Sequence, residues 1–387
     1  MRAMPKKSEI RVFHIEATSK CNLTCPQCAR SPGGFINPIL PMDELSIEDY
    51  KKVFDPDFCK QLDQIYFNGN YGDPASSTNL YEAISWMKSN GAKQVNFFTN
   101  GSLRTPAWWE SMAKLLTGKN DYVVFGIDGL ADTNHIYRRG SNFEKIMENV
   151  QAFINAGGIA RWDFIRFKHN VHQEEDAKEL ARKMGFKKFN AKGTARFLDE
   201  TAGEIVKVQL TNAESRAKKA TQPGADNFNL VELERAEAKD KIKDSFDKVI
   251  AEHGTFENYV DVGKITCKST ESGNQYGANV FMDFKGKIWP CCWMGCLPYI
   301  ADQNYLPKKQ ILKLMENYEE GFNDIKLHTL DEVLAHKWYE SDLQNSWDNT
   351  TKDEVNPRIF TCGRTCGSKF DWSSGASGNN VESTKLK

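Results

Sequence analysis

No run of eighteen apolar residues occurs anywhere in this 387-residue chain, so no segment reads as a membrane-spanning helix. Net charge is lacking as well. The 51 Lys and Arg are matched by 52 Asp and Glu, a formal charge of −1 with a sequence pI of about 6.7. That balance leaves no basic footprint for nucleic acid or for an acidic membrane surface. The opening stretch, Met1-Arg2-Ala3-Met4-Pro5-Lys6-Lys7, runs into polar Ser8 and Glu9 and lacks the apolar core of a signal peptide. The expected location is therefore the cytoplasm, where thiols stay reduced. The length allows one large domain or two modest ones.

Cysteine is plentiful: there are 10, and they are clustered. Cys21, Cys25 and Cys28 come early, Cys59 stands alone, and six more follow residue 260. Grouped thiols in a reducing compartment point to metal rather than to disulfides. Two metal sites about 240 residues apart in sequence are expected. Cys59, between helix and strand signals, reads as a packing residue.

Residues 10 to about 200 alternate strand-like and helix-like runs, which predicts a parallel α/β architecture. The strand candidates are Arg11–Ala17, Gln64–Asn68, Gln94–Thr99, Tyr122–Ile127, Trp162–Phe167 and Lys187–Asn190. Between them, Leu80, Ala83, Ile84 and Met87 share a helix face, as do Ala177, Leu180, Ala181 and Met184. Ser46 to Asp49 reads as a capping box, and Gly157-Gly158 and Gly185 as helix stops. In such folds ligands sit at the carboxyl ends of the strands. Several polar or glycine-rich segments fall there: Gly72-Asp73-Pro74, Thr99-Asn100-Gly101, Gly126-Ile127-Asp128-Gly129, Tyr137-Arg138-Arg139-Gly140 and Arg166-Phe167-Lys168-His169-Asn170.

The first cysteines are spaced C-x3-C-x2-C in a loop directly after the first strand. Three thiolates at that spacing can wrap one face of an iron–sulfur cube and leave its fourth iron open. A zinc knuckle is the competing reading, but zinc wants a fourth Cys or His nearby, and the next cysteine is Cys59. The later field holds Cys267, then a hairpin pattern from Val280 to Pro290 with Gly286 at its turn. Cys291, Cys292 and Cys296 follow, and Cys362 and Cys366 come much later. Four thiolates drawn from distant segments can enclose a cluster fully and hold a small domain together. A zinc site of the same four cysteines remains open on ligand type alone.

The opening motif resembles that of the radical S-adenosylmethionine (SAM) superfamily. The resemblance implies a partial, six-unit (β/α)6 TIM-like barrel over residues 8–200. It implies a 4Fe–4S cluster on Cys21, Cys25 and Cys28, with SAM at its open iron. Tyr71-Gly72-Asp73-Pro74 looks like the family's SAM-amino turn, with Asp in place of Glu. Thr99-Asn100-Gly101 looks like its Thr-Asn-Gly. Arg139, with Arg138 second, is similar to the Arg that pairs with the SAM carboxylate. Gly126 stands where many members carry a Ser, and Gln27 where many carry an aromatic. Arg166, Lys168 and His169 are unranked candidates for SAM or substrate.

The later cysteines resemble the SPASM/twitch auxiliary domain, a small α+β iron–sulfur domain placed at 259–372. The implied ligands of a second 4Fe–4S cluster are Cys267, Cys291, Cys362 and Cys366. Cys292 and Cys296 are left over, as buried thiols, as a replacement for Cys291, or as a hydrogen-atom donor. Residues 201–258 read as a charged helical bridge, with Ile242, Phe246, Val249 and Ile250 as an apolar stripe, and 373–387 as a disordered tail. The family implies an oxidoreductase or maturase acting on a peptide or protein, or else a dehydrogenase of a small sugar-like or cyclitol alcohol. Its implied partner is an electron donor such as flavodoxin or ferredoxin. The contrasting class is a non-catalytic iron–sulfur electron carrier.

Overall fold

The computed structural model describes residues 4–194, 208–209, 232–233, 241–270, 278–367 and 381–386. Six parallel strands follow one another: β1 (Val12–Ile15), β2 (Gln64–Phe67), β3 (Val95–Thr99), β4 (Tyr122–Gly126), β5 (Ala160–Ile165) and β6 (Lys188–Lys192). Their β-branched and aromatic residues suit a sheet buried on its helix side. Between them run α1 (Ile47–Val53), α2 (Pro56–Gln61), α3 (Leu80–Ser89), α4 (Pro106–Leu115), α5 (Asn134–Tyr137), α6 (Phe143–Asn155) and α7 (Glu174–Met184). The expected capping box opens α1, with Ser46 N–H donating to Asp49 at 2.8 Å and Asp49 N–H to Ser46 Oγ at 3.1 Å. Gly185, at φ 92°, ends α7 in the left-handed conformation that glycine tolerates.

The core lies between sheet and helices. Phe13, Phe67, Phe97, Phe125 and Trp162 point from the strands toward fully buried Trp109 and Phe153 from the helices. Trp109 stacks on Phe97 at 5.8 Å and meets Phe125 at 5.2 Å. Burial of each such ring contributes roughly 1.5–3 kcal/mol. The other face of the strands, which lines the barrel, is polar. There His14 stacks on Tyr66 at 4.3 Å, Arg161 lies over Tyr122 at 3.4 Å, and Asp163 accepts from Asn190 at 2.7 Å and Lys192 at 2.6 Å.

The sheet continues past both ends of this series. After the two-residue ladder of β7 (Val208–Gln209) and β8 (Glu232–Leu233), β9 (Asn279–Met282) pairs in parallel with β1. Then β10 (Ile288–Trp289) returns antiparallel to β9. On the far edge β11 (Val381–Lys385) pairs antiparallel with β6 over five residues. The nine strands run β10-β9-β1-β2-β3-β4-β5-β6-β11.

That last strand corrects one expectation. Residues 381–385 are not a disordered tail: Arg166 ties Glu382 at 2.8 Å and Ser383 donates to Asn190 at 2.8 Å, and backbone pairing supplies the rest. Much of the expected charged bridge lies outside the described residues. Within it, α8 (Lys241–His253) begins at Lys241, and its Phe246 and Val249 pack on Phe256, Tyr259 and Val260. The latter three belong to α9 (Phe256–Val262). The hairpin expected in a separate small domain instead extends the barrel sheet through β9. The remaining α-helices among the described residues are α10 (Cys292–Gly295), α11 (Leu306–Met315), α12 (Leu330–Leu334), α13 (Leu343–Ser346) and α14 (Phe360–Cys366). No helix among the described residues is long and apolar enough to cross a membrane.

Candidate iron–sulfur and cofactor site

The loop after β1 brings Cys21, Cys25 and Cys28 together at the carboxyl edge of the sheet. Cys28 N–H donates to Cys25 O at 3.0 Å and Ser31 Oγ to the same carbonyl at 3.0 Å, which winds the loop into a tight turn. Arg30 pins both limbs of the loop, donating to Ser19 O at 3.1 Å and Leu23 O at 3.0 Å. Its role was invisible in the motif. N–H groups face the sulfur of Cys21: Leu23 N–H at 3.4 Å and Asn100 Nδ2 at 3.7 Å. Burial pushes this thiol well above its ordinary range, and Asp73, Cys25 and Cys28 push it further. Such a thiol ionises only against a compensating cation. Three converging thiols with N–H donors behind them fit a three-thiolate iron–sulfur cluster. Leu23, Tyr137 and Phe167 form an apolar wall around Cys25, with the two rings 4.5 Å apart.

The polar segments at the strand ends meet this loop. Asp73 is buried and accepts from Ala75 N–H at 2.9 Å, Thr99 Oγ1 at 2.9 Å and Asn100 N–H at 2.7 Å. It therefore clamps the loop after β2 to the end of β3. Burial raises its pKa and the Asn100 and Thr99 bonds lower it. Gly72 passes so close to the first loop that a Cβ there would lie 1.8 Å from Thr18 O. Only glycine permits that approach.

The two arginines separate. Arg138 reaches across Gly126, where a Cβ would meet its Nη2 at 2.6 Å, and pairs with buried Asp128 at 2.6 Å. Burial works against its charge, but Asp128 and Cys25 more than offset that. Arg139, the first choice from sequence, lies buried beside the Gly33–Gly34 turn, and its carbonyl accepts from Thr24 N–H at 3.1 Å. Arg166 is taken up by Glu174 at 2.6 Å and Glu382, so it locks β11 rather than facing the cysteines. Lys168 is exposed. His169 stacks on Phe167 at 5.2 Å, and burial, then His135 and His172, lowers its pKa to about 4. Gln27 is half-buried.

The second group forms below the end of β10. Thr266 N–H donates to Cys366 O at 2.9 Å, which sets Cys267 beside α14. Cys362 and Cys366 sit one turn apart on α14, and Cys291 caps α10. All ten cysteines are free thiols. Cys267 is raised well above its ordinary range by its bond to Cys366, by burial, and by Cys291 and Cys362. Burial, then Cys292 and Cys366, raises Cys291, and burial, then Cys291 and Cys366, raises Cys362. Four mutually close thiols in an apolar shell fit a fully ligated iron–sulfur cluster. Among the described residues no three His, Cys, Asp or Glu side chains close on a single-ion position.

Asn70 ties the first group to the turn that follows Cys291. Cys28 Sγ approaches its carbonyl at 3.8 Å, and its Nδ2 donates to Cys292 O at 3.2 Å. Beside it lies Glu16, which sequence reading missed. Glu16 is buried at the end of β1 and accepts from Tyr71 N–H at 2.6 Å and Gly72 N–H at 3.2 Å. Burial, opposed by these bonds, raises its pKa to about 8. The only sequence signal was its place five residues before Cys21.

Residues 15–184 match the Radical SAM superfamily. A probable GTP 3′,8-cyclase of Methanococcus maripaludis is 25% identical over 181 residues, 46% of this chain and 57% of the relative. A 7,8-dihydro-6-hydroxymethylpterin dimethyltransferase of Methanocaldococcus jannaschii is 26% identical over 153 residues, 38% of this chain and 28% of the relative. The chain thus matches about half, and about a quarter, of the length of these curated relatives. Among solved structures, Streptococcus suis SuiB bound to S-adenosylmethionine has the same fold. Its TM-score is 0.51 at 12% identity, over 92% of this chain and 72% of SuiB. SuiB bound to its precursor peptide SuiA gives a TM-score of 0.51 at 13% identity, over 96% and 76%.

Proposed function

Since residues 15–184 form a radical SAM domain, we propose that this chain is a radical SAM enzyme with a second, auxiliary iron–sulfur cluster, and that it modifies a peptide or protein. When bound to Cys21, Cys25 and Cys28, a 4Fe–4S cluster with one open iron supplies the electron that cleaves SAM to methionine and a hydrogen-abstracting 5′-deoxyadenosyl radical.

The observation that carries the reading is the meeting of the three-thiol loop with Asp73, Asn100 and Arg138 at one edge of the sheet. The Gly72–Asp73 backbone offers carbonyls to an ammonium group. Arg138, fixed by Asp128, offers its remaining N–H groups to a carboxylate. Leu23, Tyr137 and Phe167 keep water from Cys25. Cys267, Cys291, Cys362 and Cys366 hold the auxiliary 4Fe–4S cluster. Support for a peptide substrate comes from SuiB, which shares the fold and was solved with a precursor peptide. A flavodoxin- or ferredoxin-type donor in the cytoplasm supplies the electron.

The polar barrel lining of Asp163, Asn190 and Lys192 favours, as a second reading, oxidation of a small sugar-like alcohol. The two curated relatives are named for small-molecule chemistry, which agrees with it.

The test is anaerobic turnover of iron-reconstituted protein with SAM and dithionite. Wild type is expected to hold about eight irons, as two cubes require, and to release 5′-deoxyadenosine. The Cys21/Cys25/Cys28→Ala variant is expected to hold about four and release none. A fully loaded wild type that neither binds nor cleaves SAM would identify an electron carrier instead.

A further inference from the structure

Across three neighbouring strands the register sets like charges side by side. Arg161 on β5 stands opposite Lys188 on β6, and Lys188 stands opposite Lys385 on β11. Side chains paired in this way share one face of the sheet. Trp162 and Phe189, the next residues along, go to the buried core, so the three cations go to the side that lines the barrel.

Like charges directly opposite one another destabilise a sheet. Higher in the barrel each cation is answered by an acid. Lys192 meets Asp163, Arg138 meets Asp128 and Arg166 meets Glu174, each at 2.6 Å. The lower row has no such answer: among the described residues no ion pair joins Arg161, Lys188 or Lys385 to an acid. Asp163 acts on Lys188 through space, but its oxygens are held by Asn190 at 2.7 Å and Lys192 at 2.6 Å. Burial, then Arg161 and Lys385, lowers the Lys188 pKa against the pull of Asp163. Arg161 is propped in place, its Cζ 3.4 Å from the centroid of the Tyr122 ring. A guanidinium held by its face keeps its N–H edge for a further partner.

The row also has a fixed depth. Lys188 begins β6 and Lys192 ends it, at the edge that carries the first cysteine group. Four steps of strand are about 13 Å.

On the enzymatic reading above, we infer that Arg161, Lys188 and Lys385 form an anion site that holds a phosphoryl or carboxylate group of the substrate, about 13 Å below the edge of the sheet where the substrate reacts. Three cations suit a group with two negative charges. On a peptide that group is a pair of acidic side chains, about four extended residues from the one that reacts. On a small molecule it is a phosphate monoester at the far end from the reacting carbon. A bare sugar-like alcohol offers no charge to the row.

Isothermal titration of the iron-reconstituted protein reads the site without turnover. The probes are the peptide Ac-Glu-Glu-Glu-NH2 and, separately, phenyl phosphate. Wild type is expected to bind at least one of them, and its affinity to fall about tenfold in Lys188→Gln and in Lys385→Gln. Lys183→Gln removes the same charge from the exposed side of α7 and should change affinity less than about twofold. Binding of the peptide assigns the site to carboxylates, and binding of phenyl phosphate assigns it to a phosphoryl group. Because the row is held against its own repulsion, ligand-free Lys188→Gln is expected to gain about 1 °C in Tm. A lower Tm would make Lys188 a structural residue and overturn the inference. Failure of both probes to bind wild type, or binding that survives both substitutions, overturns it as well. A wild type that binds a probe but releases no 5′-deoxyadenosine with SAM and dithionite overturns the enzymatic reading, and the assignment of the anion to a substrate falls with it.

Discussion

Cys21, Cys25 and Cys28 come from one short loop, whereas Cys267, Cys291, Cys362 and Cys366 come from three separate segments. The loop is shaped without metal. Arg30, Ser31 and Thr24 bond its backbone, and Asp73 clamps its neighbours. The second group has less of this: β9 and β10 are short, α10 is a single turn, and Cys267 and α14 meet through isolated backbone pairing. A site built before its metal arrives can leave one position open for chemistry. A site that metal helps to build spends every thiol on closure.

Breaking one ligand in each group tests this most strongly. Cys362→Ala is expected to lose about half the iron and to lower the Tm of the loaded protein by roughly 5–10 °C. Cys25→Ala should lose the other half with a shift under about 2 °C. Calorimetry with iron counting decides, and equal shifts would dissolve the contrast.

A second comparison lies inside the first site. Arg138→Ala strands Asp128 as a buried, unpaired charge and is expected to cost about 3–5 kcal/mol in urea unfolding. It should also weaken SAM binding more than Arg139→Ala does, by equilibrium dialysis. The Arg138→Ala/Asp128→Asn pair should recover most of the stability and none of the affinity.

The smallest effect concerns Glu16. An unfolded glutamate gives up its proton near pH 4.5, and folded Glu16 near 8. The folded state thus binds the extra proton between those values, and stability of the metal-free protein falls as pH rises through that window. Glu16→Gln should flatten the slope, a change of roughly 3 kcal/mol between pH 5 and 8 in paired urea titrations. A slope that Glu16→Gln leaves unchanged would show that the proton sits elsewhere.

The barrel strands were legible because the first five are short, largely apolar runs bounded by glycine or polar turns, and helical periodicity filled the gaps. The first cysteine loop was legible because its spacing is local. What escaped was non-local. Nothing in Asn279–Met282 says that it will lie parallel to β1, since any sheet edge would satisfy its backbone. Val381–Lys385 alternates too little to read as a strand beside a Ser- and Gly-rich stretch; its partners Arg166 and Asn190 stand far back in the chain. The different placing of Arg138 and Arg139 turns on one residue's worth of helix end: Arg138 passes over Gly126 to Asp128, while Arg139 lies by Gly34. Glu16 was hidden because an acid before a cysteine loop looks like a solvated one.

The order of manufacture follows from the two outer borders of the sheet. The strands of the barrel leave the ribosome first, yet the strands that cover them on either side, β9 with β10 and then β11, are synthesised last. From the end of β6 at Lys192 to Lys385 is 385 − 192 = 193 residues, roughly 10–40 s of synthesis at 5–20 residues per second. Until β9 is made the nascent sheet carries two open edges, and the β6 edge stays open until β11 follows, each a template for unwanted pairing. A shortened gene that stops after the barrel would make this transient state permanent. The six barrel strands therefore depend for their borders on strands that lie well after them in the chain.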